Sequence, residues 1–69
     1  MMNGKILYIL RCIKGMKQSE VARKLKISQQ AYSKLERAEI LQDDRLDNIL
    51  AALKSSREEL SEIKRIFKI

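Results

Sequence analysis

Only Lys26 and Ile27 stand between two stretches of helical pattern, and that spacing constrains the fold more than any other feature of the chain. On the N-terminal side, Val21, Ala22 and Leu25 recur at i, i+1 and i+4, the buried face of a helix from about Gln18 to Lys24 or Leu25. On the other side Ser28 is a strong N-cap, because its hydroxyl can accept a hydrogen bond from a free backbone N–H. Tyr32 and Leu35, three residues apart, then face inward. Two helices joined this tightly cannot lie side by side as a long hairpin; they must cross steeply. Ala22, small at the middle of its face, lets a neighbouring helix come close.

The rest of the chain repeats the helical period. Residues 5–14, KILYILRCIK, place Ile6, Leu7, Ile9, Leu10 and Ile13 on one apolar arc. Gly15 is a natural stop, since it takes positive φ without penalty, and Met16 turns inward. The second helix has Lys17 where Ser or Thr would cap it, and Glu20 in its first turn, near the positive end. Residues 38–43, AEILQD, make a loop, and a fourth helix from about Asp44 to Lys54 carries Leu46, Ile49, Leu50 and Leu53 on one face. Ser55 or Ser56 caps a fifth, where SREE matches a capping box. Leu60, Ile63 and Phe67 form its stripe, predicted to cover Ile6, Ile9 and Ile13 and to leave Ile66 and Ile69 near the surface. Proline is absent and glycine occurs only twice, so nothing breaks these helices except their own stops. The 69 residues are expected to form one all-α domain, 1–69, with no repeat or linker.

Charge points outward from this small core. The net charge is +6, but it is unevenly spread: residues 1–37 hold nine Lys or Arg against two Glu, and residues 38–69 hold six against seven acidic residues. A polyanionic partner explains such a split. Enzyme chemistry finds little to work with. There is no histidine, no phosphate loop and no catalytic pair, and Cys12 has no second cysteine to pair with. Cys12 reads as an inert, partly buried thiol. Asp43, Asp44 and Asp47 suit a helix N-terminus better than a metal. The opening MMNGKILYILRCIKG is too short in its apolar run, and too interrupted by Arg11, for a signal peptide. No run approaches a membrane span, and a cytoplasmic location is expected.

Three motifs together carry a resemblance: Q-x-x-V-A at 18–22, I-S-Q-Q at 27–30 and S-K-L-E-R at 33–37. Leu7, Leu10, Arg11, Gly15 and Met16 precede them in register, and Leu46, Ile49 and Leu53 follow. From Gly4 to Ala52 the chain resembles the helix-turn-helix family of phage Cro and cI repressors and xenobiotic-response-element (XRE) regulators. The resemblance implies a five-helix, lambda-repressor-like DNA-binding domain. Its helix-turn-helix would span about 18–37 and its C-terminal helix about 56–68. The helix from about Ser28 to Arg37 would then lie in the major groove of double-stranded DNA. Gln29 and Gln30 would meet base edges, as an amide can donate and accept at once and so matches adenine N6 and N7. Lys34, one turn on, would reach a base or phosphate. Gln18 would bond a phosphate at the second helix's N-terminus, with Lys17, Arg23, Lys24 and Arg37 building the positive surface. Arg11 and Glu36 match a pair that clamps the first helix to the third.

Three departures from the family pattern matter. Lys26 and Ala38 stand where glycine is usual. The loop from Glu39 to Asp44 is acidic, so it is expected to stay off the DNA. The implied function is sequence-specific transcriptional regulation, by repression and without a cofactor, with a homodimer on paired half-sites. Its alternatives are an antitoxin that also binds a toxin, and a protein-interaction module that has lost DNA binding. For single residues the plainer readings are solvated helix formers at Gln29 and Gln30, and a core Tyr32 with its hydroxyl at the edge.

Overall fold

The computed structural model describes residues 3–41 and 43–68, the side chain of residue 43 excepted. Five helices follow one another: α1 (Lys5–Ile13), α2 (Gln18–Leu25), α3 (Gln29–Arg37), α4 (Asp43–Ala52) and α5 (Arg57–Phe67). There is no strand among the described residues. α2 packs on α3, α1 bridges α3 and α5, and α4 closes the far side of α2. Each helix sends its apolar stripe to one shared centre, where Ile6, Leu7, Leu10, Val21, Tyr32, Leu46 and Leu53 are fully buried. Met16, Leu50 and Leu60 complete it, and Leu25, Ile27 and Leu35 pack against it from the edge.

Three of the helices stop in the same way. At the end of α1, Gly15 takes φ +68°, its N–H bonds to Cys12 O and the N–H of Met16 bonds to Arg11 O. After α2 the corresponding bonds are Lys26 N–H to Arg23 O and Ile27 N–H to Ala22 O. After α4 they are Lys54 N–H to Ala51 O and Ser55 N–H to Leu50 O. This pair of bonds satisfies carbonyls that a helix end leaves free, and it demands a left-handed residue at the pivot. Glycine supplies it once. Lys26 at φ 59° and Lys54 at φ 55° supply it twice, at a cost of roughly 1–2 kcal/mol each for the crowded Cβ. Both residues follow the negative ends of α2 and α4, where a positive charge offsets part of that.

The fourth helix ends earlier than expected, because this pivot at Lys54 diverts the chain after Ala52. Ser56 caps α5 by accepting from the Glu59 N–H at 3.2 Å. The reciprocal half of the capping box is missing: the Glu59 carboxylate accepts from Ser55 Oγ at 2.6 Å and pairs with Lys14 Nζ at 3.0 Å. That pair ties the end of α1 to the start of α5. Farther along, the expected cover fails. Phe67 is 51% exposed and Ile13 54%, although Leu60 and Ile63 are buried as the stripe requires. Packed helices cross at an angle, so the apolar stripe of one leaves its neighbour within a few turns. Ile66 is exposed as expected, and Ile69 lies outside the described residues. Cys12 is exposed, not partly buried, because it sits on the side of α1 opposite Leu7 and Leu10.

Gly4 is the tightest point of the fold. Its N–H donates to Ala38 O at 2.7 Å, joining the start of α1 to the end of α3. A Cβ built there would fall 1.9 Å from Leu35 O, so only glycine lets the two backbones meet.

Candidate nucleic-acid interface

α3 begins as its sequence requires. Ser28 is extended at ψ 157°, and its hydroxyl accepts from the Ala31 N–H at 3.0 Å. Tyr32 and Glu36 turn inward, one turn apart on the buried side. The opposite side shows Gln30, Ser33, Lys34 and Arg37, related by i, i+3, i+4 and i+7, with Gln29 beside them at the first turn. Gln29, Gln30, Lys34 and Arg37 are exposed, and neither amide bonds to another group among the described residues. Ser33 enters the sequence reading only as part of the S-K-L-E-R motif, because serine gives no periodic signal; it is half-buried in the middle of this stripe.

Beneath the stripe lies a buried polar node. Arg11 Nε donates to Glu36 Oε2 at 2.6 Å and its Nη2 to Oε1 at 3.3 Å, while Nη1 donates to Met16 O at 3.0 Å. The carboxylate side chain is 5% exposed and the guanidinium 14%. Burial alone would push the Glu36 carboxyl up, but hydrogen bonds from Arg11 and then Gln18 outweigh it and hold the group below the usual carboxylate range. The same hydrogen bond raises Arg11, so the pair stays charged. Tyr32 is not at an edge. It is fully buried, and burial beside Glu36 pushes its hydroxyl well above the ordinary tyrosine range. That hydroxyl meets no partner at hydrogen-bond geometry. The clamp of α1 to α3 is therefore present, and its core neighbour is more deeply set than sequence reasoning allowed.

Gln18 has a partner that sequence reasoning missed. Its Nε2 donates to Glu36 Oε1 at 2.9 Å, so one of its two N–H bonds is used inside the protein and the other remains. Around it the start of α2 is open. Lys17 is extended at ψ 153° and makes no side-chain cap; the Glu20 N–H bonds to Lys17 O at 3.1 Å, and the Gln18 and Ser19 N–H groups meet no acceptor among the described residues. Lys17, Arg23, Lys24, Lys26, Lys34 and Arg37 form no ion pair among the described residues. Among the described residues the ion pairs are the buried Arg11 with Glu36 and, away from this surface, Lys14 with Glu59, Arg57 with Asp47 and Arg65 with Glu62. Six cations outside the ion pairs thus lie on the α2–α3 unit; Lys5, Arg45, Lys54, Lys64 and Lys68 are the others among the described residues. The loop after α3 exposes Glu39 and Ile40, the latter at 60%. No group of three or more His, Cys, Asp or Glu among the described residues is arranged to hold a metal. None of their helices is long and apolar enough to cross a membrane.

Comparison with known proteins agrees with this geometry. Residues 7–60 match the helix-turn-helix family. Two solved structures are similar to the chain, each with a TM-score of 0.76 over 94% of this chain and 88% of theirs. One is the wild-type restriction-modification controller protein C.Esp1396I, at 29% identity, and the other a point mutant of it, at 31%. No curated protein sequence matches. The matched span, the short, hydrogen-bonded α2–α3 joint and the helical core of the described residues place the chain in the Cro/cI-type helix-turn-helix family, as a DNA-binding transcriptional regulator.

Proposed function

We propose that the protein reads a specific operator with α3 in the major groove and represses by occupying it. The observation that carries this reading is the pair of unpartnered amides, Gln29 and Gln30, exposed at the first turn of a helix that is otherwise clamped from below. Nothing in the core needs them. At a base edge each satisfies donor and acceptor together, most simply on adenine. Lys34 extends the base contact by one turn. Lys17, Gln18, Arg23, Lys24 and Arg37 flank the stripe as phosphate contacts, which position the helix but do not choose the sequence.

The likeness to a restriction-modification controller protein favours a regulator of that kind, acting alone and without a cofactor in the cytoplasm. A homodimer follows from the size of the reader, since one short helix discriminates little and paired half-sites multiply it. Exposed large apolar side chains are present on α1, Tyr8 and Ile13, and on α5, Ile66 and Phe67, and the pair on α5 offers the dimer contact. The exposed Ile40 beside Glu39 favours a second reading, in which a protein partner such as a toxin docks next to α3. Selection of bound sequences from a random duplex pool, at stated salt, separates the two. A palindromic motif with adenines in each half-site supports the operator reading; no enrichment supports the protein partner.

A further inference from the structure

The Glu36 carboxylate serves two helices at once. Its Oε2 takes Arg11 Nε from α1, while its Oε1 takes Gln18 Nε2 from the first residue of α2. A clamp between α1 and α3 needs only the first of these. The second fixes the orientation of a side chain. A carboxylate oxygen can only accept, so the Gln18 amide must present its nitrogen inward. One N–H of that nitrogen is spent on Glu36, and amide planarity fixes the other relative to it, on the first residue of α2, whose start has no side-chain cap. A free glutamine on a surface samples many rotamers, and each is lost when it binds. Here that loss has been taken on folding.

We propose that Glu36 is a positioning residue for DNA binding: through its bond to Gln18 it holds the second amide N–H ready for a backbone phosphate at the start of α2. The proposal rests on the DNA reading above and adds to it a division of labour. The exposed amides of α3 are free to adapt to bases, whereas the amide of α2 is fixed before DNA arrives. Glu36 never touches the nucleic acid. It acts by excluding the orientation in which the Gln18 oxygen would face, and repel, a phosphate.

The test is a cycle read on non-specific duplex, where phosphate contacts dominate. Its four members are the parent, Gln18→Ala, an apolar replacement of the pair (Arg11→Met with Glu36→Leu), and the combination. Apolar replacement of both partners often keeps a fold intact, and circular dichroism at the assay temperature checks that it does. Gln18→Ala is expected to weaken the parent about tenfold, and to weaken the apolar background less than about twofold. An equal loss in both backgrounds, or none in the parent, overturns the proposal. If the apolar background does not fold, the spectra of the Gln18 amide protons in the parent decide. Without DNA, one Gln18 side-chain N–H should be shifted and protected from solvent exchange in NMR spectra, unlike those of Gln29 and Gln30. Averaged, unprotected Gln18 amide protons overturn it. A parent that binds no duplex at all counts against the DNA reading instead.

Discussion

The backbone N–H of Gly4 and the carbonyl of Ala38 meet at 2.7 Å, so the start of the first helix is pinned to the end of the third. A methyl group at residue 4 would sit 1.9 Å from Leu35 O, a backbone atom that cannot step aside as a side chain would. Gly4→Ala is therefore expected to lower stability by about 1–3 kcal/mol, as overpacking does. Chemical denaturation measures it. Stability equal to the parent's would mean that α1 starts elsewhere in solution.

Acid should weaken the fold through Glu36. Burial raises this carboxyl, but the bonds from Arg11 and Gln18 lower it further, so its folded pKa lies below the unfolded one. A depressed carboxylate contributes stability above the unfolded pKa of about 4.3 and loses it as pH falls through the folded value. Unfolding free energies across pH 2–6 should show this limb. Glu36→Ala shrinks the limb, leaving the share of Asp47 and Glu59, which their partners also hold low, and by stranding Arg11 it costs about 3 kcal/mol at neutral pH.

Alkali should act through Tyr32. Burial raises this hydroxyl above its usual value of about 10, so its contribution is present below that pH and declines as pH rises beyond it. The buried hydroxyl has no hydrogen-bond partner, so Tyr32→Phe should change neutral-pH stability by less than about 1 kcal/mol while flattening the alkaline limb. A loss of several kcal/mol would mean that the hydroxyl is bonded in solution.

Glycine should be preferred at both lysine pivots. Lys26→Gly and Lys54→Gly each relieve left-handed strain, and the flexibility of glycine in the unfolded chain takes part of the gain back. The expected net effect is a stabilisation of about 0.5–1 kcal/mol for each, additive in the double variant because the pivots end different helices. Thermal melts of the three variants check it.

On DNA, sequence and salt should separate. Gln29→Ala is expected to cost roughly 1–3 kcal/mol at the selected site and almost nothing on random duplex. Lys24→Ala or Arg37→Ala should weaken all sequences alike and reduce the salt slope by about one unit. Glu39→Gln should leave affinity unchanged or slightly higher. Its loss would show that the acidic loop touches DNA.

Much of this was legible in the residues. Ser28 announces the start of α3 because its hydroxyl has one good use there, and Leu46, Ile49, Leu50 and Leu53 announce α4 because no other arrangement buries them together. What escaped has a common cause: it depends on the distance between elements, which periodicity does not encode. Phe67 has the right phase but stays half uncovered. Gly4 looks like a weak helix start until the α3 backbone is seen beneath it. Glu59 has the spacing of a capping box, yet Lys14 and Ser55 occupy it from outside. Gln18 was singled out for phosphate, but its bond to Glu36 spans eighteen residues and leaves no local mark.

The three-residue joint between α2 and α3, Lys26, Ile27 and Ser28, is closed by its own hydrogen bonds, from Lys26 to Arg23 and from Ile27 to Ala22. Such a joint has no slack. A residue inserted there would turn α3 by about 100° about its axis, moving the glutamines off the surface and an apolar side chain onto it. A lineage carrying this joint can change its operator by substitution along the outer stripe, position by position, but not by gaining or losing length. Diversity among its descendants should therefore appear as different side chains on an invariant spacing, and length variation should collect in the loop after Arg37 and beyond α5.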